Sequence, residues 1–232
     1  MELRALLFDV FGTVVDWRGS LLRDLGEFGR RRGIKADWAA LADAWRAAYA
    51  PAMAKVITGE VVWTNLETLQ RASLEALTHT QGIAGLTPAD LDEINLLWRR
   101  GRPWPDSVNG LRRLKTGFIV APLSNGNLAL LIEMARRGKL PWDAVFSTEI
   151  FKSYKPHPST YLGACDLLGL PPDEVMLCAA HNRDLEAAKA LGLRTAFISR
   201  PLEYGKVRAA RPTEDWDFSV GSLNELAERL GV

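Results

Sequence analysis

Leu6-Leu7-Phe8-Asp9-Val10-Phe11-Gly12-Thr13-Val14-Val15-Asp16 reads as a buried strand that runs into an aspartate and breaks at a Gly-Thr turn. Folds that alternate strands and helices carry their chemistry at the carboxyl ends of the strands, so Asp9 stands where a reacting carboxylate belongs. Two positions further on, a second carboxylate would offer a proton donor and a metal ligand. The residue there is Phe11, which can do neither.

Outward from this stretch, the bulk properties narrow the class. The 232 residues, 47% of them hydrophobic, suffice for a full core, either as one domain or as a core with an insertion. With 29 basic and 28 acidic residues the net charge is +1, so the balance gives no reason to expect nucleic acid or an anionic membrane as a partner. Arg30-Arg31-Arg32 reads as a solvated helix end. Cys165 and Cys178 read as core thiols, too few for a disulfide framework or a metal site. No secretory leader is expected, and no apolar run approaches the ~20 residues that span a bilayer, so a cytoplasmic protein is expected. There is neither a Cys/His cluster suited to zinc nor a glycine-rich nucleotide fingerprint. Neither a metal nor a cofactor is expected.

The strand over 3–8 is followed by about eighty residues of helical pattern before strand signals return near Phe118. Trp38, Leu41, Trp45 and Tyr49 recur at helical spacing behind a candidate N-cap, Asp37, and Pro51 is expected to kink or end that helix. The Trp38 stripe could face the core or a second subunit, so a homodimer is compatible with it. A second helix is predicted over 65–77. Thr87-Pro88-Ala89-Asp90 then reads as an N-cap, a first-turn proline and an acidic third residue opening a third helix. After the turn-rich Gly101-Arg102-Pro103-Trp104-Pro105 the pattern alternates: helix 107–114, strand 118–123, helix 128–137, strand 144–147, helix 159–168, strand 175–178, helix 184–191, strand 195–198. This is an α/β pattern, predicting a Rossmann-like parallel-sheet core over residues 1–16 and 99–232, with residues 17–98 inserted as a helical cap domain. Pro122 conflicts with it, because a central strand should suffer from a missing N–H. In that topology one sheet edge gathers Asp9 and Thr13, Ser124 and Asn125, Lys155, and His181, Asn182 and Asp184.

FDVFGTVVD over 8–16, LSNGN over 123–127, YKPHPSTY over 154–161 and HNRD over 181–184 together resemble the haloacid dehalogenase superfamily, across nearly the whole chain. Most of that superfamily are phosphatases with a second aspartate two residues after the nucleophile and a bridging magnesium. Phe11 makes the chain look instead like the L-2-haloacid dehalogenase branch, which carries an aromatic residue there and needs no metal. By this resemblance Asp9 is the nucleophile, steadied by Thr13. Trp45-Arg46-Ala47-Ala48-Tyr49 matches the branch's cap pattern, in which Arg46 accepts the departing halide. Ser124 and Lys155 would hold the substrate carboxylate, Asn125 would line the halide side, Tyr161 matches a tyrosine six residues beyond the lysine, and Asp184 matches a late acidic residue. Asn182 and the backbone N–H groups of Val10 and Phe11 complete the expected substrate-binding set.

One segment departs from the branch. Serine and asparagine usually stand five and three residues before the late aspartate, and here those positions are Ala179 and His181. Displacing halide from a carbon beside a carboxylate needs an anionic nucleophile behind the carbon–halogen bond and leaves an ester on the enzyme. Burial would neutralise Asp9, and Lys155 would oppose that. Water must then open the ester with a base in reach. Asp184 is the first candidate, and His181, as a neutral imidazole, is a second that could take the proton or place the water. The expected activity is hydrolytic dehalogenation of small 2-haloacids. The alternatives are a magnesium-dependent phosphatase or a binding protein that kept the fold and lost turnover.

Overall fold

The computed structural model describes residues 2–205 and 211–232. From β1 (Ala5–Phe8) the chain passes through β2 (Val15–Asp16) into four helices, α1 (Trp17–Arg32), α2 (Trp38–Ile57), α3 (Leu66–Thr80) and α4 (Pro88–Asn95), and returns through a 3-10 turn at Leu96–Arg100 to β3 (Arg102–Pro103). Alternation follows: α5 (Ser107–Leu114), β4 (Ile119–Ser124), α6 (Leu128–Gly138), β5 (Phe146–Ser147), α7 (Pro158–Leu168), β6 (Val175–Ala179), α8 (Asn182–Ala190), β7 (Arg194–Ile198), β8 (Phe218–Val220) and α9 (Leu223–Arg229).

Six strands form one parallel sheet in the order β5-β4-β1-β6-β7-β8, so the chain is an α/β protein with a Rossmann-like core. β1 lies inside it, paired with β4 on one side and β6 on the other, and all four of its residues are fully buried. The strand order reverses beside β1, the place where open parallel sheets leave a crevice at their carboxyl edge. Alternation along the strands divides the core. Leu6, Phe8, Val120 and Met176 face one layer, and Ala5, Leu7, Ala121 and Leu177 face the other. The first layer is continuous with the apolar faces of α1 and α2 through Trp17, Leu21, Leu41 and Trp45.

Each helix of the 17–98 segment starts on a side-chain cap. Asp16 accepts from Gly19 N at 2.8 Å, Asp37 from Ala40 N at 2.9 Å and Asn65 from Thr68 N at 3.0 Å, while Thr87 and Asp90 form a reciprocal capping box. Caps of this kind are worth about 1 kcal/mol apiece. β2 and β3 pair antiparallel, Val15 with Pro103 and Asp16 with Arg102, and so clamp together the two ends of the helical segment. Two-residue strands leave no periodic trace in a sequence, and none was expected there.

The two prolines find these places in the fold. α2 runs through Pro51 to Ile57. Trp45 and Met53, buried on either side of it, hold the helix against α3 and the core despite the lost hydrogen bond. In β4, Ile119 N donates to Arg4 O at 3.0 Å, while Val120 N and O face Asp143 on the other side. Alternation therefore turns Pro122 away from β1 and toward β5, which pairs only from Leu123 onward. No ladder bond is lost, and the proline sits at a gap in the sheet. The Trp38 stripe faces inward: Leu41 and Trp45 are buried, and Trp38 meets Phe28 edge-to-face at 6.3 Å. Among the described residues no helix is long and apolar enough to cross a membrane.

Candidate active site

A cavity of about 260 Å³ opens between the carboxyl edge of the sheet and α2, lined by Asp9, Phe11, Asn125, Lys155, His181 and Asp184 from the sheet side and by Arg46, Tyr49, Met53 and Ile57 from α2. Asp9, 9% exposed, forms its floor. Its two oxygens have different neighbours. Oδ1 accepts from Lys155 Nζ at 3.0 Å. Oδ2 accepts from Thr13 Oγ1 at 2.8 Å and lies 3.1 Å from His181 Nδ1. Thr13 in turn accepts from Ala180 N at 2.9 Å, so its hydroxyl proton can point only at Asp9.

These contacts decide the charge states. Burial drives the Asp9 carboxyl toward its neutral form. The Lys155 ammonium, the His181 ring and the Thr13 hydroxyl outweigh it and hold the group well below the usual carboxylate range. Lys155 is also buried, yet Asp184 and Asp9 raise its pKa above the ordinary lysine value. Its Nζ is 2.5 Å from Asp184 Oδ2, and Tyr161 Oη donates to Asp184 Oδ1 at 2.5 Å. Burial beside Asp184 pushes the Tyr161 phenol up, so it stays a donor. Tyr49 is likewise raised, to about 12, by burial.

His181 differs from its expected state. Burial favours the neutral ring, but Asp9 on Nδ1 and Glu203 on Nε2 raise its pKa to about 10. Each ring nitrogen faces a carboxylate oxygen, an arrangement that suits an imidazolium donating through both N–H groups. Glu203, 5% exposed, was missed from the sequence. Its Oε1 and Oε2 lie 3.1 and 3.2 Å from His181 Nε2, and Oε1 also accepts from Trp17 Nε1 at 3.0 Å. A lone glutamate after β7 carries no pattern. The nearest signal is Gly12, whose φ of +90° would put a Cβ 2.3 Å from Glu203 Oε1.

The remaining expected residues divide. Arg46 lines the cavity with its guanidinium 4.6 Å from the Tyr49 ring and 5.7 Å from that of Trp17; its buried Nε has no hydrogen-bond partner among the described residues. Asn125 lines the cavity and accepts from Lys155 N at 2.8 Å, fixing the lysine's backbone. Phe11 lines it too, set edge-on against Trp98 at 5.6 Å. Val10 has its side chain in the core, leaving only its backbone near the site. Ser124 ends β4 buried, its hydroxyl accepting from Gly126 N at 3.2 Å, and it does not line the cavity where it was expected to hold the substrate carboxylate. Two further expectations are corrected. Tyr161 is fully buried beneath Asp184 and reaches substrate only through it. Asn182 turns away at the start of α8, its amide tied to Arg211 O, Thr213 N and Trp216 Nε1, so it cannot line the cavity.

The donor set suits an ammonium better than a divalent cation. Asp9 and Asp184 share Lys155, Phe11 replaces a carboxylate, and no group of three or more His, Cys, Asp or Glu among the described residues is arranged to hold a metal. The family model for haloacid dehalogenase-like hydrolases matches residues 3–192. The chain belongs to that family. It is 33% identical to (S)-2-haloacid dehalogenase 4A of Burkholderia cepacia over 88% of this chain and 87% of that protein. A crystal structure of an L-2-haloacid dehalogenase superposes with a TM-score of 0.94 at 48% identity, covering 99% of this chain and all of that one. A defluorinating L-2-haloacid dehalogenase superposes at 0.95 with 43% identity, over 99% and 96% of the two chains. Family membership and the L-2-haloacid dehalogenase branch are thus as the motifs implied.

Proposed function

We propose that this chain hydrolyses small 2-haloalkanoic acids to 2-hydroxy acids through an ester on Asp9, with residues 17–98 acting as a cap over the sheet edge. The observation that carries this reading is the floor of the cavity. Asp9, held ionised and nearly dehydrated, lines the cavity with only one side-chain donor, the buried Lys155, on Oδ1 against two on Oδ2, and Arg46, whose buried Nε has no hydrogen-bond partner among the described residues, lines the same cavity.

The substrate carboxylate binds between the Lys155 ammonium and the backbone after Asp9, its charge offset at short range. Asp9 Oδ1 attacks the carbon bearing the halogen. That carbon–oxygen bond forms as the carbon–halogen bond breaks, and the halide leaves with the electron pair toward Arg46, where a cation meets developing charge. Water then adds to Asp9 Cγ and gives its proton to Asp184. The Cγ–Oδ1 bond breaks, the departing alkoxide takes the proton back from Asp184, and the regenerated carboxylic acid ionises. One proton and one halide are released per turnover. The product oxygen is one that Asp9 carried.

The phosphatase alternative is disfavoured by Phe11, which packs against Trp98 where a general acid would be needed. The test is halide release from fluoro-, chloro- and bromoacetate and both 2-chloropropionate enantiomers, with EDTA present. Release is expected, with one enantiomer preferred, and Asp9→Asn should reduce it by about 1,000-fold or more. Release unaffected by Asp9→Asn, or magnesium-dependent turnover of p-nitrophenyl phosphate in place of dehalogenation, contradicts the reading. Fluoroacetate belongs in the panel because one structural relative is a defluorinating enzyme.

A further inference from the structure

The cluster around Asp9 Oδ2 lies outside the displacement step. Oδ2 receives two side-chain donors, Thr13 Oγ1 at 2.8 Å and His181 Nδ1 at 3.1 Å, and neither contacts the oxygen that attacks substrate. Behind His181, Glu203 occupies a made-to-measure position. It meets Nε2 at 3.1 Å, takes the Trp17 indole N–H at 3.0 Å and fits only because Gly12 has no side chain. Its loop is pinned in turn by Arg200, which donates to Thr13 O at 2.8 Å and grips Asp106 through two hydrogen bonds. Such a construction is excessive for a surface loop, and the displacement mechanism gives it no task.

From this geometry we infer that Glu203 is a positioning residue for the second half of the reaction: it keeps His181 a cation aimed at Oδ2, so that Thr13 and His181 together cradle the oxyanion formed when water attacks the ester. The inference rests on the aspartyl-ester reading above. Once Oδ1 is bonded to substrate, Oδ2 is the ester carbonyl oxygen, and addition of water to Cγ places the negative charge on it. Two donors already within hydrogen-bond distance of that atom need no rearrangement at the moment of reaction. Esterification also removes the Asp9 charge, one of the two that hold His181 protonated. Glu203 is the other, and it survives the displacement step. Lys155, Arg46 and Arg183, which line the same cavity, oppose a charged ring there, and Asp184 is occupied by Lys155 and Tyr161. The role assigned to His181 is thus that of a charged hydrogen-bond donor, and the proton acceptor is Asp184. No extra reactant enters, and the proton count of the reaction is unchanged.

The test separates the two steps with 2-chloropropionate under rapid quench, following chloride and the mass of the Asp9 peptide from pH 6 to pH 10. Glu203→Gln should still release about one chloride per enzyme in a burst, then accumulate alkylated Asp9 as ester hydrolysis slows by about 30-fold or more. Its hydrolysis rate should also decline with rising pH at least about one unit earlier than in the wild-type enzyme, because its imidazolium is less well held. His181→Asn should slow hydrolysis comparably, and adding Glu203→Gln to it should cost less than about twofold, as expected for a residue that acts through the histidine. Hydrolysis in Glu203→Gln that is undiminished, slowed with an unshifted pH profile, or faster at higher pH overturns the inference. Failure to alkylate Asp9 in either enzyme instead removes the dehalogenation reading beneath it.

Discussion

The two flanks of Asp9 are built from different materials and face different events. On the Oδ1 flank, Lys155 bridges Asp9 and Asp184, which line the cavity with Arg46, and Tyr161 backs Asp184 from its buried place in α7. On the Oδ2 flank, Thr13, His181 and Glu203 form a line that leads away from the cavity into the Trp17 region. A symmetric carboxylate is thereby made asymmetric. In the proposed mechanism one oxygen attacks, and the other carries charge when the ester is opened. The difference between the flanks gives each half of the proposed two-step reaction its own set of hydrogen bonds to probe.

The largest effect that would sharpen this contrast is on the Oδ1 flank. Lys155→Met leaves Asp9 and Asp184 facing each other without their shared cation, and the halide-forming step should fall by about 100- to 1,000-fold, measured as burst rate at saturating substrate. Since Lys155 is the leading influence that lowers the Asp9 pKa against burial, the acid limb of the residual activity should also move to higher pH. Arg46→Ala should slow halide release by about 100-fold and hydrolysis of a preformed ester little, because in the proposed mechanism its guanidinium meets only the departing halide. An equal loss in both steps would break the division of labour. Tyr161→Phe should cost about tenfold, through a less well placed Asp184, and should appear in ester hydrolysis more than in the burst.

The smallest effect is on stability and belongs to the Oδ2 flank. A histidine whose pKa is raised to about 10 in the folded chain stabilises fully below its unfolded value of about 6.5, and that contribution is lost as pH rises toward 10. Asp9 behaves oppositely, its contribution being present above about 3.9 and lost in acid. The melting temperature should therefore fall between pH 7 and pH 10, and His181→Asn should flatten that fall. An unchanged slope in the variant would mean that the ring is neutral at rest.

The same two flanks differ in how far they were legible in the sequence. Strand-end placement and the spacing of Asp9, Thr13, Lys155 and Asp184 follow from local patterns, because each lies at a fixed offset from a strand or helix that periodicity reveals. Arg46 was accessible only through the resemblance of Trp45-Arg46-Ala47-Ala48-Tyr49 to the branch's cap pattern, since the apolar stripe of α2 does not include it. Glu203 was not: it sits in a turn, 22 residues from the histidine it holds and 186 from its Trp17 donor, and a solitary glutamate has no periodicity. The neutral His181 ring expected from the sequence was read without this second carboxylate, which favours the charged form. Asn182 failed differently. Its position at the end of β6 was right, but the turn into α8 aims the side chain at the 211–216 segment, a direction that position along the chain does not encode. Pro122 was judged by a local rule that the gap beside β5 sets aside, and α2 does not end at Pro51.

The central claim, that Asp9 itself is consumed and restored in each cycle, is tested most directly by a single turnover in water enriched in oxygen-18, with enzyme in excess over 2-chloropropionate. Attack of water on Asp9 Cγ leaves the label in the Asp9 peptide and an unlabelled hydroxyl group on the 2-hydroxy acid. Label found in the product after that one turnover, with the peptide unlabelled, would mean that water displaces the halide directly and would contradict the account.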